Sequence, residues 1–220
     1  MNAVCLPAVS AQNLPMPPNY DASFWDQRYS AADYVFGTKP NDFLAEVAGQ
    51  IPAGPVLCLA EGEGRNAVFL AQRGHAVTAL DQSATGLAKA RALAAQHAVS
   101  VATVTADLAD HVITPGAWAG IVAIFMHLPP GLRATVLAEA VTGLKPGGVF
   151  VLECYTPAQL AFATGGPKDA ALLPTLALLR AELSGLEFII GRELEREVHE
   201  GSGHGGRSAV VQILARRPAP

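Results

Sequence analysis

Residues 55–67 read PVLCLAEGEGRNA, and the two halves of this stretch decide the fold. Residues 55–60 form an unbroken apolar run, the pattern of a strand buried on both faces. Gly62 and Gly64 end that run, and residues 65–73 then have helical composition up to a stop at Gly74. Buried strand, glycine turn and helix together make the opening unit of a parallel sheet.

The same alternation continues toward the C-terminus. His75–Leu80 reads as a second strand, and Ser83 caps a helix running to about His97. Val99–Thr105 and Ala119–Phe125 are predicted as strands three and four, and Pro130–Leu144 as a helix. Lys145-Pro146-Gly147-Gly148 reads as a turn before a fifth strand through Cys154. Asp169–Leu183 is expected to be one further helix. The pattern then changes, because Leu186–Val198 and Ser208–Ala215 both read as strands. The glycine-rich link 201–206 between them is too short for a crossover helix, so these strands must be antiparallel. The expected fold is α/β: a Rossmann-like, doubly wound, mainly parallel sheet with a C-terminal antiparallel hairpin and helices on both faces.

Upstream, Asn41–Gln50 has the spacing of a short amphipathic helix, with Phe43, Leu44 and Val47 on one face. Phe24, Trp25, Tyr29, Tyr34 and Phe36 form an aromatic segment that either packs the N-terminal arm onto the core or touches a ligand. The expected organisation is a Pro-rich arm over 1–23 and one domain over 24–220.

Composition excludes several function classes. Hydrophobic residues make up 50% and charged residues 15%, which is incompatible with intrinsic disorder. The net charge is −4 and no Lys/Arg run occurs, so nucleic acid and anionic membrane are not expected as partners. No stretch reaches the apolar length of a spanning helix, and Met1–Pro18 lacks the basic start of a signal peptide. Cys5, Cys58 and Cys154 show neither C-x-x-C nor zinc spacing; reduced thiols in a cytoplasmic protein, monomeric or homodimeric, are expected.

Gly62-x-Gly64-x-x-Ala67 satisfies the dinucleotide pattern, and Asp81 follows 19 positions after Gly62, near the spacing of a ribose-binding acid. Charge separates two cofactors. A pyrophosphate needs backbone N–H groups with little negative charge nearby, yet Glu61 and Glu63 bracket Gly62 and Arg65 alone offsets them. S-adenosylmethionine carries a sulfonium, an ammonium and one carboxylate but no phosphate, and suits such a loop better. Asp107, closing the third strand, supplies a second acid, suited to an adenine amino group. A nicotinamide-dependent oxidoreductase and a non-catalytic S-adenosylmethionine-binding module stay open as alternatives.

Several motifs carry a family resemblance: Phe24-Trp25-Asp26-Gln27-Arg28-Tyr29, the loop Glu61–Ala67, Asp81-Gln82-Ser83 and Ala106-Asp107-Leu108. Phe125-Met126-His127-Leu128-Pro129-Pro130 and Leu144-Lys145-Pro146-Gly147-Gly148 extend it. The chain resembles the class I S-adenosylmethionine-dependent methyltransferases, and within them the tellurite-resistance and thiopurine methyltransferase-like group. The resemblance implies a seven-stranded sheet whose last strand is inserted antiparallel. It departs from the usual loop L-D-L-G-C-G-x-G, with Cys58 in place of the acid, Ala60 in place of the first glycine and Glu61 in place of the small residue that follows.

As a whole, the resemblance and the loop chemistry assign a cofactor set. Arg28 is placed near the methionine carboxylate, and Gln82 and Leu108 about the adenine. Ile124 and Phe125 line the amino-acid end, while Trp25 and Tyr34 close over the sulfonium. Ala60, Glu61, Gly62, Asn66, Asp81, Ser83 and Asp107 complete the set. On the acceptor side the catalytic candidates are His127, after the fourth strand, and His199, at the end of the first hairpin strand; His204 in the glycine link is a weaker candidate. Glycines at 201 and 203 forbid the helix that an H-E-x-x-H metal site needs, so no metal is expected. The expected acceptor is a small molecule, a thiol or a metalloid oxyanion such as tellurite, and the loop Thr164–Lys168 is expected to cover it. The motif Phe125–Pro129 departs from the [D/N]-P-P-[Y/F] signature of DNA amino-methyltransferases.

Overall fold

A computed structural model describes residues 20–162 and 164–219; nearly all of the expected arm lies outside them. Seven strands form one sheet: β1 Pro55–Leu59, β2 Ala76–Asp81, β3 Val101–Thr105, β4 Trp118–Ile124, β5 Leu144–Tyr155, β6 Glu187–Glu200 and β7 His204–Arg216. Their spatial order is β3-β2-β1-β4-β5-β7-β6. All pairs from β3 to β5 are parallel, and β7 is antiparallel to both β5 and β6. The apolar run 55–59 is central because it pairs with β2 on one side and β4 on the other. Its alternate residues feed two cores: Val56 and Cys58 face one, Leu57 and Leu59 the other.

The helices are α1 Ala22–Arg28, α2 Asp42–Val47, α3 Arg65–Gln72, α4 Ala84–Gln96, α5 Pro130–Gly143 and α6 Leu176–Glu182. Phe43 and Leu44 of α2, Val68 and Leu70 of α3, and Leu87 and Leu93 of α4 fill the first core. Val136 and Leu137 of α5 and Leu179 of α6 fill the second. Ser83 caps α4 as expected, its hydroxyl accepting from the Gly86 N–H.

Three boundaries differ from the sequence reading. The single helix expected over 169–183 is two pieces, a 3₁₀ turn at Ala170–Leu172 and α6. Pro174 has no N–H to continue a helix, and Thr175 restarts one by capping Leu178. The turn 145–148 is looped out within β5, since Leu144 pairs with Trp118 and Val149 already with Gly120. The hairpin is also tighter than expected, because Glu200 pairs with His204 and only residues 201–203 turn. A side chain at Gly201 would meet the Val35 carbonyl at 2.3 Å, so segment 35–37 lies directly on the hairpin tip. The Gly203 N–H bonds that same carbonyl. This contact brings Phe36 against His204.

The order of the sheet reverses between β1 and β4, the place where open α/β sheets hold ligands. Two non-glycine residues sit in the left-handed region beside it, Ala60 (φ 48°) after β1 and Phe125 (φ 52°) after β4. Each costs about 1 kcal/mol. Strain of this kind at both strand ends marks the crevice before any ligand is considered.

Candidate functional site

A cavity of about 360 Å³ lies beyond the carboxyl ends of β1, β2 and β4, roofed by α1, the loop at 165–167 and the hairpin tip. Of the sixteen residues assigned from sequence, twelve line it: Trp25, Arg28, Ala60, Glu61, Asn66, Asp81, Gln82, Asp107, Leu108, Ile124, Phe125 and His127.

Glu61 is the decisive side chain. The N-cap of α3 is Gly64, at φ 89°, which has no side chain to satisfy the first N–H groups of the helix. Glu61 supplies the missing acceptor, its Oε1 taking the N–H of Asn66 at 2.9 Å and of Ala67 at 2.8 Å. Burial pushes its carboxyl up to about 7, against the two N–H groups and Arg65, which favour the ionised form. Those same N–H groups are where a dinucleotide pyrophosphate would sit. In this protein a carboxylate already holds them.

Asp81 ends β2 and braces the loop from the other side. Its Oδ2 accepts from Gly62 N and its Oδ1 from Ser83 N, each at 2.8 Å. Burial raises its carboxyl above the usual value despite both bonds. Asp107 accepts the Ala109 N–H at 2.8 Å and turns the chain after β3 toward the cavity. Gln82 donates to the Tyr20 carbonyl and ties the start of α1 to the rim. Trp25 stacks on Tyr29 with ring centres 5.5 Å apart, and Arg28 lies 5.5 Å over the Phe36 ring.

Four assigned residues lie elsewhere. Gly62 turns its backbone N–H to Asp81, and Tyr29 covers it: a Cβ there would stand 2.7 Å from the Tyr29 hydroxyl. The Ser83 hydroxyl donates to Asp26 at 2.6 Å while capping α4, so it pins α1 rather than lining the cavity. Tyr34 donates to the Lys89 carbonyl, with the Lys89 ammonium 4.8 Å over its ring. His199 is exposed on β6, since successive strand residues face opposite ways and Val198 and Glu200 take the buried side. The charge argument needs one correction as well. Glu63 is buried, pairs with Lys89 at 2.5 Å and accepts from Val35 N, so of the two glutamates only Glu61 lines the cavity.

The structure also brings to the cavity residues that the sequence reading did not assign to the cofactor set or ranked below other candidates. Phe24, Tyr29 and Phe36 line the cavity, and their signal was the aromatic segment itself. His204 also lines it, because the tight turn makes it the first residue of β7. Its ring lies 4.5 Å from those of both Phe36 and Phe125. The loop expected to cover the acceptor contributes Gly165, Gly166 and Pro167 to the wall.

Residues 56–148, from β1 through the turn within β5, match a family model described as a methyltransferase domain. Over this segment the chain is similar to methyltransferase domains. The donor that such domains use is S-adenosylmethionine, and the cavity suits it: acids at the ends of β2 and β3, Arg28 at the rim with Arg65 already paired to Glu200, and helix N–H groups closed to phosphate. Solved structures share the fold of this chain. A protein studied for the conversion of a disulfide bond into a thioacetal group during echinomycin biosynthesis is 20% identical, with a TM-score of 0.70 over 90% of this chain and 92% of its own. TehB from Haemophilus influenzae is 19% identical, with a TM-score of 0.66 over 89% of this chain and 66% of its own. An S-adenosylmethionine-dependent methyltransferase from Mesorhizobium loti is 18% identical, with a TM-score of 0.58 over 79% of this chain and 95% of its own. No curated protein matches in sequence.

Proposed function

We propose that this protein transfers the methyl group of S-adenosylmethionine to the sulfur of a small thiol. The observation that carries the reading is the Glu61 carboxylate seated on the N-terminal N–H groups of α3. It leaves a crevice that attracts a sulfonium or ammonium and repels a phosphate bridge. That argues against a nicotinamide cofactor. In this reading Arg28 holds the donor carboxylate, Asp81 the ribose hydroxyls, and Asp107 and Leu108 the adenine. Trp25 and Phe125 shield the sulfonium from water.

The acceptor end favours a thiol over a metalloid oxyanion. Its walls are Phe36, Phe125, Met126, Leu128 and Leu172, with the two imidazoles of His127 and His204. The cations nearby are committed. Arg65 pairs with Glu200 at 2.6 Å, and Arg133, close to His127, pairs with Glu182 at 2.9 Å. His127 donates from Nδ1 to the Leu172 carbonyl, and burial pushes it down to about 4, so it is neutral at physiological pH. An oxyanion would have no unpaired cationic side chain left to meet it once Arg28 holds the donor, only the sulfonium itself.

Methyl transfer is an in-line displacement from an activated sulfonium, so alignment and water exclusion supply most of the rate. A labelled-methyl assay over alkyl and aryl thiols, selenite, tellurite and small amines tests the reading. Label is expected in the thiols, with at least tenfold less in selenite and tellurite. Donor binding with no transfer to any acceptor would instead identify a binding module, and preferred transfer to the oxyanions would overturn the thiol assignment.

A further inference from the structure

The structure places a second histidine in the cavity with a carboxylate behind it. His204 Nδ1 faces Glu200 Oε2 at 3.5 Å, and among the described residues Nε2 has no protein partner. Glu200 is firmly fixed: Arg65 bonds Oε2 at 2.6 Å, and Asn41 bonds Oε1 at 2.9 Å. A carboxylate that accepts from Nδ1–H orients an imidazole and leaves the Nε2 lone pair free. Around that ring stand Phe36, Phe125 and Tyr155, with centres 4.5, 4.5 and 5.4 Å away.

We infer that His204 is a catalytic base: Nε2 takes the proton of a neutral thiol as its sulfur attacks, and Glu200 positions the ring and stabilises the imidazolium. This inference rests on the methyl-transfer reading above. Burying a thiolate in an apolar pocket that offers no unpaired cationic side chain carries a desolvation cost, so a thiol of ordinary acidity enters as S–H and its proton needs a local home. The step balances. The acceptor sulfur bonds the methyl carbon while the donor's methyl–sulfur bond breaks and leaves its electrons on that sulfur. The acceptor S–H proton passes to Nε2 and later to solvent.

The surroundings of His204 agree with this role. Burial pushes its imidazole below the usual value although Glu200 pulls it up, and Arg65 and Arg28 reinforce the neutral form. Glu200 stays ionised at about 2: burial raises it, and the bonds from His204, Arg65 and Asn41 more than offset that. Tyr155 and His127, the other titratable groups near the ring, are neutral at pH 7, the first raised by burial and the second lowered by it. The base is therefore unprotonated at physiological pH, and its modest strength suits a thiol better than an alcohol.

Two thiols separate the base from a structural side chain: benzyl mercaptan, protonated at pH 7, and a nitro-substituted benzenethiol, already ionised there. With His204→Asn, single-turnover transfer to benzyl mercaptan is expected to fall about 100-fold and to recover as pH rises toward that thiol's own ionisation. Transfer to the nitrobenzenethiol should change less than threefold. Glu200→Gln should show the same selective loss to a smaller degree. A readout free of turnover is the ¹⁵N shift of the His204 ring with demethylated donor bound, which should move toward imidazolium values when benzyl mercaptan is added. Equal losses on both thiols, with calorimetric donor binding unchanged, would make His204 structural and overturn the inference. Wild-type protein that binds donor but methylates no thiol would overturn it too. Failure to bind donor at all would overturn the reading beneath it.

Discussion

Asp81→Ala is expected to weaken donor binding about 100-fold while leaving a folded protein. The carboxylate holds the loop after β1 by accepting from Gly62 N and Ser83 N, each at 2.8 Å, and it lines the cavity with its remaining lone pairs. Removing it leaves two N–H groups unpaired and, in the proposed reading, deletes the charge-assisted bonds to the donor hydroxyls. Together these are worth on the order of 3 kcal/mol in affinity, or two powers of ten. Isothermal titration with S-adenosylmethionine measures the loss, and circular dichroism checks the fold. Asp81→Asn keeps one acceptor but turns an NH₂ toward an N–H, so its affinity should fall between the two. Unchanged affinity in Asp81→Ala would remove the acid from the donor site.

Glu61 should make both stability and donor binding depend on pH. Its carboxyl rises from an ordinary 4.5 to about 7 because burial outweighs the N–H groups it accepts from. The folded state therefore keeps a proton between those two values that the unfolded chain releases. The stabilisation is complete below about pH 4.5 and lost as pH rises through 7, a change on the order of 3 kcal/mol. Urea unfolding at pH 5 and pH 8 should show that loss, and Glu61→Gln should flatten it and be the more stable protein at pH 8. A donor cation in the cavity favours the ionised carboxylate, so binding should expel a proton near pH 6.5 and strengthen as pH rises to 8. Calorimetry in two buffers of different ionisation enthalpy measures that proton. Glu61→Gln should abolish the release and bind about tenfold more weakly. A flat pH profile in the wild type would show that Glu61 is ionised throughout and does not sense the ligand.

Much of this architecture was legible because single residues dictate it locally. The run at 55–59 has no polar break and so had to be a central strand; Gly74 had to end a helix, and Ser83 had to begin one. Pro174 was equally visible, but the apolar spacing around it outweighed its missing N–H in the reading of 169–183. The site was legible where a strand end fixes it, as at Ala60, Asp81, Ile124 and Phe125.

Where a turn decides, the sequence was ambiguous. Glu61 and Glu63 are chemically alike and two residues apart, yet the positive φ of Gly62 and Gly64 sends one to the cavity and the other to Lys89. The link 201–206 offers several glycines at which the hairpin could turn. Turning at 201–203 places His204 inside and leaves His199 on the exposed face, a choice set by the distant segment 35–37 pressed against Gly201. Lys89, which gathers the Ala31 and Asp33 carbonyls at 2.9 and 2.7 Å, carries no local signal at all.

The central claim is that the crevice at the β1–β4 reversal takes a sulfur cation and rejects a pyrophosphate. Isothermal titration of one protein sample with S-adenosylmethionine, its demethylated product and NADH tests it most directly. Saturable binding of the first two at one site per chain, with no heat from NADH, is the expected result. Tighter binding of NADH, or silence with the methyl donor, would contradict it.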